Sequence, residues 1–475
     1  MSKTFLDVSR SDVMVMDTVI SRCAEKSPLT VMARLALQRA LSPAWIDDLF
    51  EREAGTQYQR ELLFSTTVEL MSVVAVGLRP SLHAAAQACP ELPVSVQALY
   101  DKIKRTEPHL VQTLVAGSAE RLTDVLAPMI KGKAPVVPGY RLRIVDGNHL
   151  PASEKRIKPL RGFRGAALPG HSLVVYDPDL EMVVDVEPCE DAHAQERAVM
   201  PSLLERAMPG ELWIADRNFS TRAILCEWDH RGCGFIVREH SRTPNPCALD
   251  ELSYQGRVAT GAVYEQAVEI KAAAGQTVRL RRIELRLSEP TEDGETVIRI
   301  LTNLPRSRFS ARAIARLYRH RWKIESMFQR LESVLHSEVT TLGHPRAALL
   351  AFGVAVLAYN VLTVLQSAVR AAHDLRDSGI ELSPFYVATE VRANYAGMMR
   401  AVTVAAWKQY DTMYASQLAQ VLLQIAEHAN PKTLRKHPRG PKLPKKKGYV
   451  PGADARRHVS TARVLKKGIV EGTVN

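Results

Sequence analysis

The chain runs to 475 residues, 46% of them hydrophobic and 24% charged, with a formal net charge of +12. A length of this order exceeds a single compact core and predicts roughly two to four domains, while the apolar share excludes an intrinsically disordered chain. The cationic balance favours a polyanionic partner, nucleic acid first.

Residues 1–135 read as an all-helical domain. Apolar residues recur at three-to-four spacing over Leu29–Leu41, Pro43–Glu53, Tyr58–Val76 and Val96–Leu114. The stretch Ser81–Lys104 has the form of a helix-turn-helix. Its second helix would offer Gln97, Tyr100, Lys102, Lys104 and Arg105 to DNA. An ordinary helical bundle with a solvated basic face fits the same residues. A Pro-Val-Val-Pro linker at 135–138 opens the next unit.

In Arg141-Leu-Arg-Ile-Val-Asp146-Gly, a short apolar run suited to a buried strand ends on an acid and a turn-forming glycine. The pattern returns in Glu211-Leu-Trp-Ile-Ala-Asp216-Arg-Asn-Phe. Ligand-binding groups collect at such strand ends in open α/β sheets, although an Asp also initiates turns there for structural reasons alone. Between them lie a predicted strand pair, Ser172–Asp177 and Met182–Val186, and a helix over Ala192–Ala207. Beyond them come a helix over Thr221–His230 and a strand over Gly234–Arg238. The other acids of this region, Asp177, Asp179, Asp185, Glu187, Glu190 and Asp191, lack the tight pattern of Asp146 and Asp216. Asp185 is the best substitute among them, because its strand is expected to adjoin the first. Cys226, His230 and Cys233 cluster without a fourth ligand, which argues against structural zinc. The six cysteines show no Cys-x-x-Cys spacing and fit a reducing cytosol.

From Ala248 to Leu304 the period shifts to two, predicting an antiparallel β insertion. Then comes Tyr318-Arg-His-Arg-Trp-Lys-Ile-Glu325-Ser-Met-Phe-Gln329. On one helix, Tyr318, Arg321, Glu325 and Gln329 share a face. A metal-binding carboxylate beside a phosphate-binding guanidinium is what phosphoryl transfer on nucleic acid requires; an i,i+4 ion pair on a solvated helix is the plainer alternative.

Together these three motifs resemble the DDE transposases of bacterial insertion sequences, specifically insertion-sequence family four, over roughly Arg141–Gln366. The resemblance implies an α/β fold: a ribonuclease-H-like mixed sheet core with a β-rich insertion, preceded by an all-helical domain and followed by helices and a basic tail. It implies Asp146, Asp216 and Glu325 as catalytic metal ligands holding two Mg²⁺ ions, with Mn²⁺ as an alternative. Tyr318, Arg321 and Arg217 would position DNA near them. The implied partners are transposon terminal inverted repeats and target DNA, bound by a homodimer assembled on DNA in the bacterial cytoplasm, at the nucleoid. The family carries a Lys seven positions after the Glu, where this chain has Glu332. A catalytically silent DNA-binding descendant and a metal-dependent nuclease without strand transfer are the competing readings. The insertion contains Tyr254 and Tyr264 but no Trp, so a DNA hairpin step is not implied, and Trp322 is expected to serve packing.

The run Leu349–Leu365 approaches membrane-spanning length, yet Asn360, Thr363 and the lack of a second such segment predict a buried helix instead. Residues 305–428 are expected to hold the catalytic helix and further helices. From 429 to 475 the Pro-rich, Lys-rich and Arg-rich composition predicts a flexible tail that contacts DNA.

Overall fold

The computed structural model describes residues 18–55, 57, 59–271, 277–291, 294–335, 340–375, 378–437 and 458–471. The apolar runs of the middle region become five strands of one sheet: β1 (Arg141–His149), β3 (His171–Asp177), β4 (Met182–Cys189), β5 (Glu211–Ala215) and β6 (Gly234–Arg238), with the short β2 (Ala166–Leu168) lying apart. Their order is β4-β3-β1-β5-β6. β1, β5 and β6 run parallel, β3 is antiparallel beside β1, and β4 lies at the edge, antiparallel to β3. Strand β3 is buried on both faces, which suits its central run Leu173-Val-Val-Tyr176. This mixed sheet with flanking helices is the ribonuclease-H-like arrangement that the resemblance implied.

The period-two region forms β7 (Cys247–Ala248), β8 (Ser253–Val258), β9 (Gly261–Lys271), β10 (Thr277–Leu287) and β11 (Val297–Thr302). It does not make a separate sheet. Strand β11 pairs antiparallel with β6, so the insertion continues the core as one ten-stranded sheet. Arg–Glu pairs line it, among them Arg281–Glu265 at 2.8 Å and Arg282–Glu239 at 2.6 Å.

The long helix Pro345–Ala372 is buried almost throughout, as its composition predicted. It has the length and apolarity to cross a membrane, but here it is the axis of a helical core. The helices Pro28–Ala40, Phe64–Ala75, Pro108–Leu126 and Ala415–Ala426 pack on it, and they share one hydrophobic cluster with residues of β1 and β4. This cluster continues across residue 135, and Val137 of the proline linker is itself buried in it. Gly353 marks a close approach between the long helix and Pro108–Leu126. A Cβ there would stand 2.4 Å from Val111 Cγ1, and a β-branched neighbour has little rotamer freedom to yield. Gly353→Val is expected to lower stability by about 1–3 kcal/mol through overpacking, as read by thermal or denaturant unfolding. An unchanged midpoint would mean that the two helices separate freely.

Asn360, in the middle of this helix, turns both ends of its amide to the edge strand β4. Its Nδ2 donates to Val183 O at 2.7 Å, and its Oδ1 accepts from Val183 N at 2.9 Å. The side chain thus does for Val183 what a further strand would do.

Several expectations are corrected. The run Val96–Leu114 is two helices, Val96–Ile103 and Pro108–Leu126, because Pro108 lacks the N–H needed to continue the first and suits the start of the second. The expected single helix through Tyr318–Gln329 is a helix Ala311–Tyr318, a 3₁₀ turn Arg319–Arg321 and a helix Trp322–Val334. Asp185 does not sit beside β1, since β3 intervenes: the tight connection at 178–181 makes β3 and β4 a hairpin. The tail is not uniformly without structure. Residues 438–457 lie outside the described residues, but β12 (His458–Ser460) pairs in parallel with β2 and leads into a helix, Thr461–Glu471.

Candidate active site

Asp146 and Asp216 come together through strand register. β1 and β5 pair in parallel up to Val145 opposite Ala215, so the next residue of each chain segment is the acid. Asp146 remains in β1, opposite Val174 of β3, whereas Asp216 leaves β5 and caps a 3₁₀ turn by accepting from Asn218 N at 2.7 Å. Burial pushes the Asp146 carboxyl up to about 7, with the neighbouring Asp216 adding to the rise and Arg321 opposing it. Asp216 is raised for the same first reason, against its bond from Asn218 and the charges of Arg321, Arg217 and Arg238. Two carboxylates that disfavour each other's charge, at the carboxyl ends of parallel strands, mark a functional site more often than a structural one.

Glu325 arrives from the far side of the sequence. The 3₁₀ turn preserves the predicted alignment, because residues three apart in such a turn eclipse, so Tyr318 sits against Arg321, and Arg321 meets Glu325 four residues on. Arg321 Nη1 lies 2.6 Å from Glu325 Oε1 and 3.4 Å from Asp146 Oδ2. The guanidinium thus joins the third acid to the first. Burial drives the Tyr318 phenol up to about 12, although Arg321 opposes it, so the ring keeps its proton and can donate. Trp322 is not a packing residue: it is 64% exposed, with the Arg321 guanidinium 5.6 Å from its ring centre.

Among the described residues, no three His, Cys, Asp or Glu side chains stand close enough together to hold a metal ion as they lie. The donor set nevertheless suits a hard divalent cation. It consists of carboxylate oxygens, it is largely buried, and its mutual repulsion is relieved by positive charge. Arg321 supplies such a charge between Asp146 and Glu325, a stand-in for a cation that both acids could share. The cluster at Cys226, His230 and Cys233 forms no metal group among the described residues; Cys233 Sγ points to Met208 O at 3.2 Å.

The competing acids are engaged elsewhere. Asp177 pairs with Arg143, Asp179 accepts from Val136 N, Asp185 and Glu187 share Arg206, Glu190 pairs with Arg346, and Asp191 with Arg463. Arg217, beside Asp216, is bonded to Glu295 of the insertion at 3.0 Å, and Arg238 at the end of β6 meets the same carboxylate. In the predicted reading helix, Gln97 is exposed and bonded to Asp101, Lys104 pairs with Asp101 at 2.6 Å, and Arg105 donates to Asp101 O. Lys102 departs from the prediction: it is buried, its ammonium 4.3 Å from the centre of the Phe50 ring. With eight residues between the helices Leu82–Gln87 and Val96–Ile103, the connection is longer than the three or four usual in a helix-turn-helix.

Glu196 went unnoticed in the sequence. It opens the helix Glu196–Glu205, and its carboxylate reaches Gly147 and Asn218, one residue past Asp146 and two past Asp216. The available signal was the glycine directly after Asp146, which permits a close approach, but nothing local identifies what approaches.

Residues 137–361 match the family described as the transposase DDE domain. The chain is 28% identical over 243 residues to a putative transposase InsL for insertion sequence element IS186A of Escherichia coli strain K12, covering 44% of this chain and 62% of the relative. It is equally similar to the transposase for insertion sequence element IS421 of Escherichia coli, 28% identical with the same coverage. The chain thus spans less than two thirds of the curated relatives it matches. The matched segment begins just before β1, takes in the strands bearing Asp146 and Asp216 and the helix bearing Glu325, and ends within the long buried helix. Residues 137–361 of this chain are thus similar to the transposase DDE domain and to transposases of insertion sequences.

Proposed function

We propose that the protein is an insertion-sequence transposase that cuts and joins DNA at the ends of its element, and that it belongs to insertion-sequence family four. One observation carries the reading: Asp146 and Asp216 stand side by side at the ends of parallel strands, with Arg321 and Glu325 laid over them. Asp146, Asp216 and Glu325 would hold two Mg²⁺ ions, or Mn²⁺ in their place. Bound there, divalent cations supply the Lewis acidity that activates a water or a DNA 3′-hydroxyl and steadies the leaving oxygen during in-line displacement.

The chain's own residues do the rest. Arg321, now held by two acids, is freed toward a scissile phosphate when their charge is otherwise satisfied, and its fork suits two phosphate oxygens. Tyr318 keeps its proton and can donate to the same group. Arg217 contacts the backbone from the Asp216 side, and exposed Trp322 offers a stacking surface beside the centre. The exposed Gln97, with Lys104, Arg105 and the cationic tail, extends the contact along terminal inverted repeats and target DNA. Lys102 is left out of that surface. Both ends must be held together for joining, so a homodimer assembled on DNA at the bacterial nucleoid is part of the proposal.

The test is incubation of the protein and Mg²⁺ with a duplex carrying the element's end and a target plasmid. Cleaved ends joined to target support the reading. Cleavage without joining identifies a nuclease, and metal-independent binding alone identifies a silent DNA-binding descendant.

Glu332 is the observation that favours silence. It is exposed on the Glu325 helix, and no ion pair among the described residues engages it. Arg330 does not replace the family's Lys, since it is turned inward against Tyr359 and Tyr176. Glu332→Lys is expected to tighten end binding by about 1 kcal/mol, the worth of one partly exposed charge-assisted contact. Weaker binding by a variant of unchanged melting temperature would refute the missing-cation account.

A further inference from the structure

We propose that Glu196 is a fourth carboxylate of the same centre, bringing the negative charge that raises its affinity for a divalent cation; the inference rests on the transposase reading above.

The placement is specific. A Cβ on Gly147 would lie 1.9 Å from Glu196 Oε1 and 2.4 Å from its carboxyl carbon, so the side chain occupies the space that any other residue at 147 would fill. Glycine next to Asp146 is thus the condition for bringing this acid against the backbone of β1. The other carboxylate oxygen, Oε2, accepts from Asn218 Nδ2 at 3.1 Å, and Asn218 N is the donor that fixes Asp216. Glu196 therefore bridges the two segments that carry the strand-end acids.

Its electrostatics are those of a site rather than of a structural pair. Asp177, Asp185, Glu187, Glu190 and Asp191 each meet an arginine, whereas Glu196 has an amide for a partner and no ion pair among the described residues. Folding that collects three mutually repelling, partly buried carboxylates loses stability in the free protein and gains it back when a cation binds. A structural role predicts the reverse, because removing a useful contact lowers stability in every state.

The two roles separate in one measurement. Glu196→Gln keeps the shape and a carbonyl that can accept from Asn218. In EDTA it is expected to melt about 2–4 °C above wild type, while its Mn²⁺ affinity by calorimetry, without DNA, falls about tenfold. Gly147→Ala, whose methyl displaces Glu196, is expected to lose Mn²⁺ affinity to a similar degree. Unchanged Mn²⁺ affinity in Glu196→Gln, or a lower melting temperature in EDTA, overturns the proposal. Asp216→Asn in parallel distinguishes the two levels. If it loses Mn²⁺ binding while Glu196→Gln does not, only the role of Glu196 fails; if wild type and Asp216→Asn alike bind no Mn²⁺, the centre itself is refuted and this inference with it.

Discussion

Asp216→Ala is expected to abolish Mg²⁺-dependent cleavage of an element end, by at least about a thousandfold, since a carboxylate that holds a catalytic cation accounts for several kcal/mol of transition-state stabilisation. Asp146→Ala and Glu325→Ala should do the same. The variants should stay folded. Burial raises both aspartates, so the native state already disfavours their charge, and neither is part of the hydrophobic clusters. Glu325 is partly exposed, and among the described residues its ion pair is with Arg321. Single-turnover cleavage, with end binding and melting temperature measured on the same preparations, decides the matter. A variant that cleaves at near wild-type rate removes its residue from the centre, and one that neither binds nor folds shows that the acid is structural.

Asn360→Leu should have the largest effect on stability away from the site. The amide is fully buried in the long helix and forms two hydrogen bonds to one backbone residue of β4. Leucine fills similar space but leaves Val183 N–H and C=O unpaired in a dry environment. At about 1–3 kcal/mol for each unsatisfied group, the loss is about 2–6 kcal/mol. Denaturant unfolding measures it. A loss below about 1 kcal/mol would mean that β4 shifts to find other partners or that water reaches the edge.

The parts of the fold that were legible in the sequence are those in which neighbours along the chain decide the structure. The run Leu212–Ala215 before Asp216 is apolar, and β5 ends one residue before the acid. The strand Gly234–Arg238 and the hairpin strands of the insertion follow from alternation and turn residues in the same way. Tyr318, Arg321 and Glu325 could be aligned because spacing alone fixes helical faces, and the 3₁₀ turn preserved that alignment. What remained hidden depends on contacts between distant segments. Glu196 acquires its place from Gly147 of β1, 49 residues before it, and from Asn218 in the turn after β5, 22 residues after it, and neither contact has a local signature. Asn360 reads as a polar interruption of an apolar helix until β4 is seen beside it. Lys102 looked like a DNA contact because a cation on a short helix is usually solvated, yet the Phe50 ring takes its ammonium. The helical N-terminal region seemed a separate domain because its own periodicity is complete; the long helix Pro345–Ala372, more than two hundred residues later, is what its apolar faces cover.

The continuity of the sheet has a mechanical consequence. Strand β10 is laddered to β11, β11 to β6, and β6 to β5, at whose end Asp216 stands. Load applied to the insertion is therefore carried to the acid through successive rows of backbone hydrogen bonds, with no loop in series to absorb it. Glu295, bonded to both Arg217 and Arg238, adds a second strut along the same route. Torque exerted by anything that grips the outer strands would reach Asp216 as displacement of a rigid plate, so the insertion and that half of the acidic centre move as one body.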